Sequence, residues 1–286
     1  MNLKELRTNI RNHPIIFSVI LTILAPAILF GTSKLLTRFE GNNIIRLIFV
    51  LFNMFWPLLL VFVFGYSWCL KKNGFIKTLK AGAFLFVLQV FAFITIISYY
   101  STTEGIRWKD TFSIIIGFLS IVGVGFREEL LFRGIIANAL ANKYWYDKQN
   151  IWKATIISGV LFGLAHLSNL FTGANYQSVL VQTVVAAVLG IYLTAVYYRG
   201  GNIWALILIH TITDMASLFL SSFTNNSSFI DDLNTIGIQS FIMLPVYVLI
   251  VVFLYRNKKI NDVFNNVSEN KTLDLTITIC LYKNKR

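Results

Sequence analysis

Glu128, His166, His210 and Asp214 are the residues of this chain best suited to chemistry, and all four fall in or beside long apolar runs. An ionised group in hydrocarbon costs at least about 2.5–3.5 kcal/mol on insertion scales, so such groups are few and each needs a reason. Around Glu128 the sequence runs Phe126-Arg127-Glu128-Glu129-Leu130-Leu131-Phe132-Arg133-Gly134. Neighbouring residues on a helix point about 100° apart, so Glu128 and Glu129 cannot do the same job. Glu129 and Arg133 are spaced i, i+4 and can form an ion pair on one face. That pair neutralises Glu129 for a structural role and leaves Glu128 to face a polar cavity. The alternative is a single interfacial salt-bridge network of all four charges.

His166 follows Phe162 by one helical turn, at a predicted depth of roughly 21 Å into its span at 1.5 Å per residue. A lone histidine on an apolar face is often a hydrogen-bonded core residue, and both readings stand for it alone. His210 and Asp214 are again spaced i, i+4, in His210-Thr211-Ile212-Thr213-Asp214. They suit a self-satisfied pair, a metal site or a donor pair facing an oxyanion. Taken together, groups from three helices point to one shared polar chamber. A carboxylate with imidazoles can activate water for attack on a carbonyl. The same set could hold a divalent metal such as zinc that lowers the pKa of bound water, or relay protons. No serine nucleophile elbow and no HExxH helix is present. His13, the third histidine, sits beside Pro14 and reads as interfacial.

The elements that must carry these groups are membrane helices. The chain has 286 residues, of which 56% are hydrophobic and 13% charged, with a mean hydropathy of +0.67. Soluble domains average about 45–50% apolar and about 25% charged residues. The composition excludes an ordinary soluble domain and a disordered segment, and the short alternating runs of an outer-membrane barrel are absent. A bilayer core about 30 Å thick takes about 20 helical residues. Eight spans are expected, at 14–36, 45–70, 79–100, 111–141, 152–171, 176–198, 202–222 and 236–255. The fold class expected is therefore an all-α polytopic membrane protein with a core of spans four to seven. The fourth span exceeds one bilayer thickness and should continue into the cytoplasmic interface.

The net charge of +12 reads as a topology signal rather than a nucleic-acid footprint, because the basic residues lie mostly between apolar blocks. With the N-terminus inside, 18 basic residues face the cytoplasm and 5 the other side. Both termini are expected in the cytoplasm, with Glu128 and His210 nearer that face and access from the cytoplasm or inner leaflet. The run after the basic start reaches Leu36, long enough to span, although Ala25-Pro26-Ala27 faintly resembles a signal-peptide cleavage site. Cys69 and Cys280 are far apart and imply no disulfide framework or thiolate metal site. Few cysteines and short loops suit a bacterial plasma membrane. The polar tail from Arg256 contains a strand-like alternation at Leu273, Leu275, Ile277, Ile279 and Leu281.

In these residues the chain resembles the CPBP intramembrane proteases, the type-II CaaX prenyl endopeptidases and their bacterial relatives, some linked to bacteriocin self-immunity. The motifs EExxxR, FxxxH and HxxxN or HxxxD match Glu128-Glu129…Arg133, Phe162…His166 and His210…Asp214 in order. Asn202-Ile203-Trp204-Ala205 is similar to the run that precedes the third motif. The resemblance covers about residues 111–222. The organisation it suggests is a helical core at 111–222, accessory spans in 1–110, a last span in 223–255 and a tail at 256–286.

The resemblance implies that Glu128 activates water, that His166 holds that water, and that His210 and Asp214 face the oxyanion. Glu129, Arg133 and Phe162 would be supporting residues. The family is described both as glutamate-dependent and as metal-dependent, so a metal on Glu128, His166, His210 and Asp214 stays open beside a metal-free site. Asp214 departs from the frequent Asn. An ionised carboxylate cannot donate to an oxyanion, so Asp214 must be protonated, orient His210 as an imidazolium, or bind a metal. The reading is an intramembrane peptidase acting on a membrane-associated or leader-type peptide, without commitment to a prenylated one. The rivals are a non-proteolytic immunity or binding protein on the same frame and an ion-coupled transporter. The absence of internal repeats counts against the transporter.

Overall fold

A computed structural model describes residues 2–36, 42–144, 148–256, 260 and 263. The tail alternation from Leu273 and Cys280 lie outside the described residues. The described chain is helical throughout, and its elements run in order α1 (Leu3–Asn12), α2 (Pro14–Leu36), α3 (Asn43–Phe64), α4 (Phe75–Ala81), α5 (Ala83–Thr102), α6 (Thr111–Glu129), α7 (Asn138–Tyr144), α8 (Lys148–Ala165), α9 (Tyr176–Gly200), α10 (Ile203–Ser217), α11 (Phe219–Phe223), α12 (Phe229–Asn234) and α13 (Leu244–Leu254). Helices at Pro14–Leu35, Asn43–Phe64, Ala83–Thr102, Asn150–Thr172 and Tyr176–Gly200 are long and apolar enough to cross a bilayer. Shorter apolar helices occupy Ile203–Ser217 and Ile238–Leu254. The protein is an all-α polytopic membrane protein, and a helix lies at each of the eight expected spans.

Several expected ends move, for local reasons. The second span stops at Phe64 rather than 70 because Gly65 adopts a left-handed conformation (φ 84°) and caps it. Arg7 of α1 reinforces that end: its Nε and Nη2 donate to the carbonyls of Val63 and Phe62 at 3.0 and 2.9 Å. The first residues of the expected third span belong to the separate α4. The seventh span ends at Ser217, and α11 follows as a separate turn.

The fourth span is a continuous rod from Thr111 to Tyr144 made of three pieces. Asp110 caps its start, accepting from Ser113 N at 3.0 Å. Between α6 and α7, residues Leu130–Ala137 form a π-helical segment whose every residue is buried. Such wide turns are rare and appear frequently at functional sites. Here the segment carries Arg133 directly after Glu128 and Glu129.

Two close approaches set the remaining site helices. On α8, Gly159 and Gly163 form a GxxxG pair, the small-residue spacing that lets membrane helices approach closely. A Cβ on Gly163 would stand 2.8 Å from Ala187 N and 2.5 Å from Thr183 O, so α8 and α9 pack backbone to backbone. On α6, a Cβ on Gly125 would stand 2.7 Å from Thr211 Oγ1, which draws α10 against the turn before Glu128. The start of α10 is pinned by Asn202. Its Oδ1 accepts from Ala205 N at 2.9 Å, and its Nδ2 donates to the carbonyls of Lys71 and Asn73, each at 3.0 Å. Trp204 Nε1 donates to Leu70 O at 2.9 Å. This fixes the register of α10, and so the depth of His210, against the loop before α4.

Candidate active site

The innermost part of the site is the pair expected from spacing. Arg133 Nη1 donates to Glu129 Oε1 at 2.8 Å, and both side chains are fully buried. Arg133 Nη2 donates to Gly190 O at 3.1 Å. The guanidinium carbon lies 4.6 Å from the centre of the Phe162 ring, a cation–π distance. Phe162 also packs edge-on to His166 and His210, with ring centres 4.9 and 5.8 Å away. One aromatic ring on α8 therefore touches the arginine and both histidines.

His210 joins the buried pair to the open part of the site. Its Nδ1 lies 2.7 Å from Glu129 Oε1. An ionised carboxylate only accepts, so Nδ1 carries the proton. Its Nε2 faces Glu128 Oε2 and Asp214 Oδ2, each at 3.6 Å. Two carboxylate oxygens facing a bare lone pair would repel it, so the ring fits its surroundings as a two-proton donor. With Arg127 and Arg133 charged and the three carboxylates ionised, an imidazolium brings the cluster to formal neutrality. His166 behaves differently. Its Nδ1 lies 2.9 Å from Phe162 O, which can only accept, so Nδ1–H donates there, and in the neutral tautomer this selects Nε2 holds the lone pair.

Glu128, His166, His210 and Asp214 all line one cavity of about 1510 Å³, and Phe162 lines it too. Glu129 and Arg133 sit behind the wall. Thus the structure brings every expected residue together, with the expected division between a cavity-lining and a buried glutamate. Both glutamates nevertheless approach His210, because the imidazole spans from one helix face to the other. Spacing within α6 alone does not show this.

The cavity extends towards the 3-10 segment His166–Thr172 and α12, whose residues line it, and reaches Leu29, Phe30 and Ser33 at the end of α2. The turns at the opposite end of the helices do not line it, and of the π segment Leu131 and Phe132 do. If both termini are cytoplasmic, as the charge tally expects, these loops lie on the opposite face. The expected access from the cytoplasm or inner leaflet rested on depth along α10 alone, whereas the cavity extends beside the His166–Thr172 segment and α12.

Two residues were given no role by sequence reasoning. Arg127 lines the cavity and donates from Nη2 to Glu128 Oε1 at 3.4 Å. Its place beside Glu128 in an apolar run was the available signal. Asn53 on α3 also lines the cavity, and its Nδ2 donates to Phe49 O at 3.0 Å. Nothing local in the sequence marks it. Among the described residues, no group of three or more His, Cys, Asp or Glu side chains is arranged to hold a metal ion.

A multi-pass helical bundle with a carboxylate–imidazole–guanidinium cluster at the floor of an open cavity defines a membrane protein with an interior polar site. Residues 110–216 match the family model described as type II CAAX prenyl endopeptidase Rce1-like. The match spans the part of the chain that carries the cluster and supports kinship of this core with the CaaX-type endopeptidases. No curated protein and no solved structure matches the chain.

Proposed function

We propose that the protein is an intramembrane endopeptidase that hydrolyses a peptide bond of a membrane-associated or leader-type peptide, using water activated by Glu128. The observation that carries this is the division of labour around one imidazole: Glu129 fixes Nδ1 at 2.7 Å, while Glu128 and Asp214 flank Nε2 on the cavity side. In the proposed cycle, Glu128 and the free Nε2 of His166 hold a water. Glu128 takes one proton as the water oxygen bonds to the scissile carbonyl carbon. The carbonyl π pair moves onto oxygen, and His210 Nε2–H donates to that oxyanion. Glu128 then returns the proton to the amide nitrogen, the C–N bond breaks, and an acid and an amine leave.

Asp214 in this reading never donates to the oxyanion. It keeps His210 in the donor form. No step in this reading is routed through a metal. The proposed setting is a bacterial plasma membrane with both termini in the cytoplasm, and the substrate approaches from the face of the His166–Thr172 segment. No prenyl group is required.

The test replaces the native gene with Glu128→Gln at matched membrane abundance and compares peptide termini by mass spectrometry with wild type and a deletion. Loss of the same termini in the variant and the deletion supports proteolysis and names the substrate. A deletion phenotype fully rescued by Glu128→Gln, with unchanged termini, refutes it in favour of a binding or immunity role.

A further inference from the structure

We propose that Arg127 is a second catalytic donor, which stabilises the oxyanion together with His210 and makes a site containing Asp214 workable. This rests on the peptidase reading above.

The problem to be solved is electrostatic. A tetrahedral oxyanion formed beside Glu128 appears next to two other carboxylates, Glu129 and Asp214, each within 3.6 Å of His210. Arg133 offsets Glu129, but it is fully buried behind the wall, committed to Glu129 and Gly190. It does not line the cavity and cannot reach the substrate. Asp214 supplies charge of the wrong sign and, when ionised, no donor. His210 alone offers one N–H towards the reacting carbonyl. Preorganised sites commonly aim more than one donor at the developing charge.

Arg127 is placed to be the other. Its side chain is 10% exposed and lines the same cavity as Glu128 and Asp214. Its Nη2 reaches Glu128 Oε1 at a long 3.4 Å, and among the described residues this is its hydrogen bond to a side chain. The Glu128 carboxylate is thus bracketed, with Oε1 towards the Arg127 guanidinium and Oε2 towards His210 Nε2 at 3.6 Å. Neither contact is a short, committed bond. When Glu128 takes the proton from water its charge disappears and the oxyanion appears beside it. Both cationic donors then turn from the carboxyl to the oxyanion without crossing any distance. The guanidinium has five N–H donors in a fixed fork and always keeps its charge, which suits one bracketing role before proton transfer and another after it.

The experiment measures cleavage of the peptide whose terminus disappears in Glu128→Gln, using full-length protein in lipid nanodiscs, together with its thermal unfolding midpoint. The variants are Arg127→Gln, Arg127→Lys, Asp214→Asn and the double Arg127→Gln/Asp214→Asn. Loss of one oxyanion donor costs about 10²–10³-fold in kcat, and that is the loss expected for Arg127→Gln at a temperature where the variant stays folded, with KM unchanged. Arg127→Lys keeps a cationic donor and retains an intermediate rate. The double variant recovers at least about tenfold over Arg127→Gln, because the Asp214→Asn change puts a neutral amide, able to donate, in place of the carboxylate. A rate close to wild type in Arg127→Gln overturns the proposal. So does a fall in unfolding midpoint in Arg127→Gln that Asp214→Asn reverses in step with the rate, since that marks mere charge balance. If termini persist in Glu128→Gln, the peptidase reading itself fails. Termini lost in Glu128→Gln but kept in Arg127→Gln overturn only the role of Arg127.

Discussion

Replacing Arg133 by Met separates the cost of a buried charge from the value of a buried pair. The guanidinium is fully buried, donates to Glu129 at 2.8 Å and to Gly190 O at 3.1 Å, and stacks over Phe162. Met keeps much of the apolar volume but removes the guanidinium, leaving Glu129 only its bond from His210 Nδ1. Breaking a buried pair from one side costs about 3–5 kcal/mol. At about 1.4 kcal/mol per decade, this is a fall of roughly two to three and a half powers of ten in the folding equilibrium. The double variant Arg133→Met/Glu129→Gln removes the orphaned charge, and the glutamine oxygen can still accept from His210 Nδ1. It is expected to recover most of that loss. The assay is reversible unfolding of the full chain in bicelles, with near-UV circular dichroism and His210 ring resonances reporting the site. If Arg133→Met unfolds like wild type, or if the double variant is no more stable than the single, the reasoning from burial is refuted.

Gly163→Val places a side chain where a Cβ alone meets the carbonyl of Thr183 at 2.5 Å and Ala187 N at 2.8 Å. It should push α8 off α9, displace His166 and abolish the proposed cleavage; retained cleavage with an unchanged α8–α9 cross-linking distance contradicts this. Asn202→Ala removes a helix cap worth about 0.5–2 kcal/mol and two further bonds to Lys71 and Asn73 carbonyls. The expected result is a lower unfolding midpoint, with Asn202→Ser recovering only the cap share. At the exposed start of α6, the Ser113 hydroxyl and backbone N–H beside Asp110 hold its carboxyl below the usual aspartate pKa. Its contribution is therefore present above the unfolded pKa and lost as pH falls through the lower folded value. Asp110→Asn should flatten that acid limb of the stability–pH profile, and an unchanged limb would count against the capping account.

The Glu129–Arg133 pair, the single-face spacing of His210 and Asp214, and the membrane character of the chain were all legible from local pattern. Each depends on helical periodicity or on the length of apolar runs, which are properties of contiguous residues. The gathering of Glu128, His166 and His210 was legible only as a coincidence of charges on three spans. Its geometry was not, because contacts between helices depend on where glycines let backbones meet and on which carbonyls Asn202 reaches. The same limit explains the cavity. Depth along one helix located Glu128 and His210, but the direction in which the space opens depends on how α2, α12 and the His166–Thr172 segment lie around them.

Sequence alone thus determined the class of the chain, its helical spans and the roster of polar side chains that hydrocarbon would not tolerate without cause. Tertiary structure decided that one imidazole joins both glutamates, that Phe162 packs against an arginine and two histidines, and that Arg127 stands across Glu128 from His210. The physical reason is range. Periodicity and hydropathy act over a few residues, whereas desolvation and charge pairing are settled only when distant helices close around the same few atoms.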